Sequence, residues 1–184
     1  MKELRRFIWY LVSRLLIAVM VLGLSIVVFY YAMNATNIYI VLKDGMAKRA
    51  QVIMMDEDDR ELVKFFDENY ILSDENIQNS LKNQSSYEWY IIRGIDHRLT
   101  MTWMWTWPWE DVAKVEFVET IPRIDGRLDQ GFKQVAENFY GEGYNSPPKW
   151  PGGRYSAKME KKNNRWYIRS LSYLGAVAAE VERE

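Results

Sequence analysis

The longest apolar run in the chain extends from Leu15 to Met33. It contains no charged side chain and one serine, Ser25. At about 1.5 Å per helical residue the run covers roughly 28 Å, close to the ~30 Å hydrocarbon core of a bilayer. The pattern therefore predicts a transmembrane helix over residues 15–33, preceded by a short segment of residues 1–14.

The charges on either side of this run predict its orientation. Residues 1–33 hold four basic side chains and one acidic one, and residues 34–184 hold the other 20 basic and 24 acidic ones. Basic flanks remain on the cytoplasmic side of a first span, so we expect a cytoplasmic N-terminus and an extracytoplasmic C-terminal domain in the cell membrane. The alternatives are a cleaved signal peptide, which the length and bulky end of the run disfavour, and a buried core helix.

A helical period follows the apolar run. Residues 34–37 are predicted as a polar joint, after which apolar residues recur every three or four positions. Acidic residues at 56–59 and 74–75 are typical of helix starts. The predicted helices cover residues 38–54, 62–70 and 74–81.

The period changes to two near Ser86, which predicts strands for the second half of the chain. The candidate strands are residues 87–92, 99–109, 113–121, 155–160 and 166–171, the last two forming a hairpin around residues 161–165. Other predictions are a turn at Asp125-Gly126, a short helix over 132–140, a loop over 141–153 and a frayed tail over 175–184. Helices followed by antiparallel strands indicate an α+β fold with a bent sheet over the helices.

The strand predicted over residues 99–109 has a tryptophan at every second position of its second half. These residues are Trp103, Trp105, Trp107 and Trp109. Alternation along a strand would place all four on one face. That face could be core against the first helix, the lining of a concave pocket, or an exposed patch that docks a partner or the membrane surface. Pro108 should interrupt pairing, and Trp109 beside it is the residue expected to escape the core.

The composition offers little for catalysis. There is no cysteine, which suits a bacterial envelope better than an animal secreted protein, and the one histidine, His97, is expected in an exposed turn. A zinc site of several His or Cys ligands is therefore excluded, and the acidic cluster at 56–59 lacks EF-hand spacing. Glu116 and Glu119 are expected to be solvated. No catalytic, cofactor or metal residue is predicted, and without a basic block nucleic acid binding is not expected.

The order of elements resembles the NTF2-like, or cystatin-related cone, superfamily over residues 36–174. The likeness includes the run Arg165-Trp166-Tyr167-Ile168 in the closing strand. A single N-terminal span carrying such a domain is also similar to the VirB8/TraE-type assembly factors of bacterial conjugation and type IV secretion machines. The resemblance implies a non-enzymatic interaction or assembly module in a bacterial envelope complex, with protein partners and a candidate homo-oligomer.

The alternative is a cone-type domain that binds a small apolar ligand, or acts as an enzyme, in a tryptophan-lined cavity. Tyr87, Arg93 and Glu116 are the polar groups expected to converge there. A binding pocket requires a cavity of some hundreds of Å³ with a few such groups. A scaffold requires a filled interior and an interface of about 1,000 Å² or more.

Overall fold

A single long helix joins the apolar run to the rest of the molecule. The structure, a computed structural model, describes residues 2–55, 57–140 and 145–176. Helix α1, Lys2–Met55, has 54 residues, and every residue from 15 to 33 is exposed. By length and composition it is a candidate membrane anchor, and its exposure rules out the buried core helix.

The polar joint predicted at residues 34–37 is wrong, because α1 is continuous through it. Asn34 is already buried, and one turn later Ile38 begins the stripe that packs against the sheet. Thr36 faces solvent and its hydroxyl donates to the carbonyl of Ala32 at 2.9 Å. Asn and Thr lower helix stability by only about 0.7 kcal/mol each, so packing of the flanking turns decides the conformation.

Short helical pieces follow α1. The stripe predicted as one helix over 62–70 is instead a 3₁₀ turn, Asp59–Lys64, and a short helix α2, Glu68–Ser73. Between them Phe66 forms an isolated bridge with Ile168, which draws the backbone out of the helical path. Helix α3, Glu75–Leu81, follows the prediction.

The strands form two antiparallel sheets, which confirms the α+β class. The strands are β1 Tyr90–Ile95, β2 Arg98–Trp105, β3 Val112–Thr120, β4 Ile124–Leu128, β5 Gly153–Lys162 and β6 Arg165–Gly175. The larger sheet has the order β2-β3-β5-β6, and β1 pairs with β4 in a two-stranded sheet. A 3₁₀ turn, Gln130–Phe132, leads into helix α4, Lys133–Tyr140, between β4 and β5.

The two turn predictions had different outcomes. Asn163 and Asn164, with φ of 50° and 64°, connect β5 to β6 as a two-residue hairpin turn, as expected. The turn at Asp125-Gly126 is wrong, because both residues lie within β4. A Cβ on Gly126 would lie 2.9 Å from Cγ of Pro147, so this glycine permits a close approach of two chain segments.

The core lies between the inner stripe of α1 and one face of the larger sheet. Its fully buried members include Ile38, Leu42, Met46, Leu62, Phe66, Val115, Phe117, Met159 and Ile168. Three of the predicted features lie partly outside the described residues. They are the tail at residues 177–184, the loop at residues 141–144 and the acidic cluster at Asp56.

Candidate functional site

A β-bulge turns the tryptophans of β2 away from the core. Met101 pairs with Phe117 but Trp103 pairs with Glu116, so Thr102 is an extra residue on this strand. Because side chains alternate with a period of two, one extra residue exchanges the faces.

Residues before and after the bulge confirm this exchange. Leu99 and Met101 face inward before it, and Met104 and buried Thr106 face inward after it. The exposed fractions of Trp103, Trp105, Trp107 and Trp109 are 45%, 50%, 42% and 69%. The core hypothesis is therefore wrong, and the exposed patch is what the structure contains.

The end of this strand is a well-formed turn. The N–H of Glu110 donates to the carbonyl of Trp107 at 3.1 Å, and Pro108 occupies the second position, which it favours. Regular pairing stops at Trp105, as the proline predicted. Trp109 is the most exposed of the four tryptophans, also as expected.

The three indoles nearest the turn contact one another. The rings of Trp105 and Trp107 meet edge to face with centroids 5.2 Å apart, and those of Trp107 and Trp109 stack at 5.2 Å. The hydroxyl of buried Thr106 lies 3.3 Å from the carbonyl of Val112, to which it donates, and this bond holds the turn against β3. We refer to residues 105–109 as the tryptophan turn.

The tryptophan turn is attached to α1 at the end of the apolar run. The side-chain amide of Asn34 donates to the carbonyl of Pro108 at 3.3 Å. Asn34 directly follows Met33, the last residue of the run. The turn therefore lies beside the helix at the level where its apolar surface ends.

The predicted tryptophan-lined cavity is not formed by these residues. A cleft of about 450 Å³ lies elsewhere, between α1, the segment before β1 and the segment before β5. Arg49, Tyr87, Trp150 and Tyr155 line it. Burial raises the pKa of Tyr87 to about 12, so its hydroxyl stays neutral at ordinary pH.

The polar groups predicted to converge do not meet. Tyr87 lines the cleft, but Arg93 is exposed on β1. Glu116 lies on the outer face of β3, 3.4 Å from Nζ of Lys114. Neither of the two clefts that Tyr87 borders includes Arg93 or Glu116.

Arg49, on the wall of the cleft, belongs to a buried ion pair. Nε and Nη2 of Arg49 donate to the two carboxylate oxygens of Asp74 at 2.7 and 3.2 Å, and the hydroxyl of Tyr70 donates to Asp74 at 2.7 Å. Burial by itself raises the pKa of the Asp74 carboxyl, but the hydrogen bond and charge of Arg49 outweigh it and keep this pKa below its usual value. One feature of the sequence could have indicated this buried ion pair, because Arg49 falls within the apolar stripe of α1.

A second buried carboxylate corrects two expectations. Glu119 is fully buried rather than solvated, and its oxygens lie 3.0 Å from Nε2 of His97 and 3.3 Å from Nε1 of Trp150. The His97 side chain is 6% exposed, so the prediction of an exposed turn histidine is wrong. These contacts join residues 22 and 31 positions apart in the chain, which no local pattern reveals.

The two buried carboxylates are hydrogen-bonded to residues of the cleft wall, Asp74 to Arg49 and Glu119 to Trp150. Arg49, Asp74, Glu119 and His97 are each occupied by a partner within the protein. Among the described residues there is no group of three or more His, Cys, Asp or Glu side chains able to hold a metal ion. The tryptophan turn and β2 are thus the surface features that distinguish this domain.

The chain matches no protein-family model, no curated protein and no solved structure.

Proposed function

We propose that this is a non-enzymatic single-pass membrane protein whose extracytoplasmic domain is an interaction or assembly module of a bacterial envelope complex. The candidate span, the charge asymmetry around it and the absence of cysteine support the location. The likeness of a single N-terminal span carrying an NTF2-like domain to the VirB8/TraE-type assembly factors supports an assembly role. The NTF2-like fold itself occurs in enzymes, carriers and scaffolds alike.

The observation that carries this proposal is the outer edge of β2. This strand is last in the order β2-β3-β5-β6, and within the described ranges no strand pairs with its outer side. An exposed strand edge offers a row of backbone donors and acceptors to which a segment of another chain can add. The bulge at Thr102 confines regular addition to its first half, from Arg98 to Met101.

Site-specific crosslinking in intact membranes tests this proposal. A photoreactive amino acid replaces Thr100 at the middle of this free edge, and the matched control places it at Leu72, which is exposed on α2. We expect a discrete protein adduct from position 100 and none from position 72. An adduct of twice the protein's mass identifies a second copy as the partner.

Equal or absent adducts at the two positions contradict the proposal, provided that both variants reach the membrane. The breadth of the edge is checked by a third probe at Arg98, which lies at the start of the same strand. Adducts from both edge positions indicate one partner lying along the strand.

The alternative of an apolar ligand in a tryptophan-lined cavity has lost its geometric basis. The four tryptophans lie on the outer surface, and the cleft of about 450 Å³ is lined by Arg49, Tyr87 and Tyr155 together with Trp150. No observation on the described residues favours this alternative over the interaction module.

A further inference from the structure

The tryptophan turn exposes three indole side chains beside the end of the candidate span. We infer that the tryptophan turn lies in the outer interface of the bilayer, so that a phospholipid surface covers Trp105, Trp107 and Trp109. The domain is then attached to the membrane at two points, the span and this turn. The inference requires only the span and does not depend on the protein partner proposed above.

Height along α1 is the first argument. The hydrogen bond from Asn34 to the carbonyl of Pro108 fixes the turn one residue beyond the apolar run. One residue of helix is about 1.5 Å, whereas the headgroup region on each side of a bilayer is several Å thick. The turn therefore lies at headgroup depth whenever residues 15–33 occupy the hydrocarbon core.

The chemistry of the side chains is the second argument. Tryptophan is the residue enriched at membrane interfaces, because its ring is largely apolar and its N–H needs a polar partner. The span shows the same preference in Phe29, Tyr30 and Tyr31 at its outer end. The tryptophan turn continues that aromatic belt sideways from the helix.

Rigidity is the third argument. Pro108, the Trp107–Glu110 hydrogen bond and the Thr106 hydroxyl hold the turn in one conformation. The stacked rings are already ordered, so little conformational freedom is lost on insertion. A flexible loop with the same residues would lack this advantage.

The surrounding charges indicate which membrane property matters. Glu110 and Asp111 follow the turn, and Lys114 lies 5.9 Å from the ring centroid of Trp103. The acidic pair removes any electrostatic attraction of the turn itself to anionic lipids. Insertion should therefore depend on the indoles and be nearly independent of the lipid charge.

The test uses the full-length protein, reconstituted into phosphatidylcholine vesicles that contain no other protein. Because the chain has no cysteine, a single Asp111→Cys carries an environment-sensitive fluorophore beside the turn with all tryptophans in place. The matched control is Ser172→Cys on β6. We expect headgroup-quenching lipids to quench the probe at 111 at least threefold more strongly than the probe at 172.

Two further variants assign the effect to the indoles. Trp107→Ser with Trp109→Ser, in the Asp111→Cys background, should reduce quenching to the level of position 172. Tyr173→Ser, which removes an equally exposed aromatic ring from β6, should leave it unchanged. Circular dichroism and thermal unfolding confirm that each variant is folded.

Equal quenching at 111 and 172 overturns the inference, as does full quenching after loss of both tryptophans. A probe at 111 that is shielded in native membranes but not in pure lipid also overturns it, because a protein then covers the turn. Quenching that appears only with anionic vesicles contradicts the indole mechanism. Quenching that is the same within twofold in neutral and anionic vesicles supports it.

Discussion

At the scale of single residues, the buried ion pair of Arg49 and Asp74 has the largest effect that we predict. Removing one partner leaves an unpaired buried charge, which costs about 3–5 kcal/mol. Arg49→Met should therefore lower the free energy of unfolding by about this amount in chemical denaturation. Arg60→Ala, which breaks an exposed pair with Asp58, should leave the free energy of unfolding nearly unchanged.

A double variant separates the free energy of the Arg49–Asp74 contact from the cost of leaving one buried charge unpaired. Arg49→Met with Asp74→Asn should lose less than the sum of the single changes, because neither partner then remains charged without the other. Strict additivity would show that the bidentate contact contributes nothing to the stability of the fold.

The same carboxylate predicts an acid dependence. The pKa of Asp74 is lower in the folded protein than in the unfolded chain, so its contribution is complete above about pH 4 and is lost as the pH falls through the folded pKa. The difference in unfolding free energy between wild type and Asp74→Asn should therefore narrow between about pH 5 and pH 2.

If the difference in unfolding free energy between wild type and Asp74→Asn stays constant as the pH falls, the Arg49 contact does not lower the pKa of Asp74.

At the scale of elements, Gly45 shows packing overriding helix propensity. Alanine in a helix is about 1 kcal/mol more favourable than glycine, but a Cβ here would lie 2.9 Å from Cβ of Phe65 and 3.1 Å from Cδ1 of Ile168. Gly45→Ala should therefore lower the unfolding free energy by about 1–3 kcal/mol.

Gly23 is the matched control for that substitution. It lies in the same helix with no atom within 4 Å of the position a Cβ would take. Gly23→Ala should not lower the denaturation midpoint in detergent, and an equal loss in both variants would exclude the Phe65 contact as the cause.

The elements also show what local patterns can predict. Spacing within a few residues predicts three features: the stripe of Ile38, Leu42 and Met46, the alternation along β3 and the Asn163-Asn164 turn. The bulge at Thr102 does not, because register depends on the partner strand. One extra residue there decides that the four tryptophans face the surface rather than the core. The hydrogen bond of the Asn34 side chain likewise depends on a residue 74 positions away.

The sequence predicted which residues belong to the candidate site better than it predicted how they are arranged. Trp103 to Trp109 were identified, and exposure was one of three hypotheses. The pairing of Glu119 with His97 and Trp150, and of Arg49 with Asp74, arises only when distant segments meet. Such contacts are set by the tertiary fold, which hydrophobic periodicity does not specify.

At the scale of the whole molecule, the charge asymmetry predicts which end is outside the cell membrane. Single cysteines test this directly, since the natural chain has none. In intact cells an impermeant maleimide should label Ser172→Cys and leave Glu3→Cys unlabelled until the membrane is opened. The acidic residue is chosen at the N-terminus so that the basic flank is not weakened.

Reversed labelling would invert the proposed orientation, and labelling at both sites would indicate mixed insertion. Release of the Ser172→Cys protein into the medium, with a mass lacking residues 1–33, would instead support a cleaved signal peptide.

The uninterrupted α1 has a mechanical consequence. About 22 of its residues extend beyond Met33 into the domain, a lever of roughly 33 Å. Because it has no hinge, a tilt of about 10° in the lipid displaces its far end by about 6 Å, and a rotation of the span turns the β2 edge through the same angle. If α1 is the anchor, such a helix transmits motion from the bilayer to the β2 edge that we propose as the docking surface.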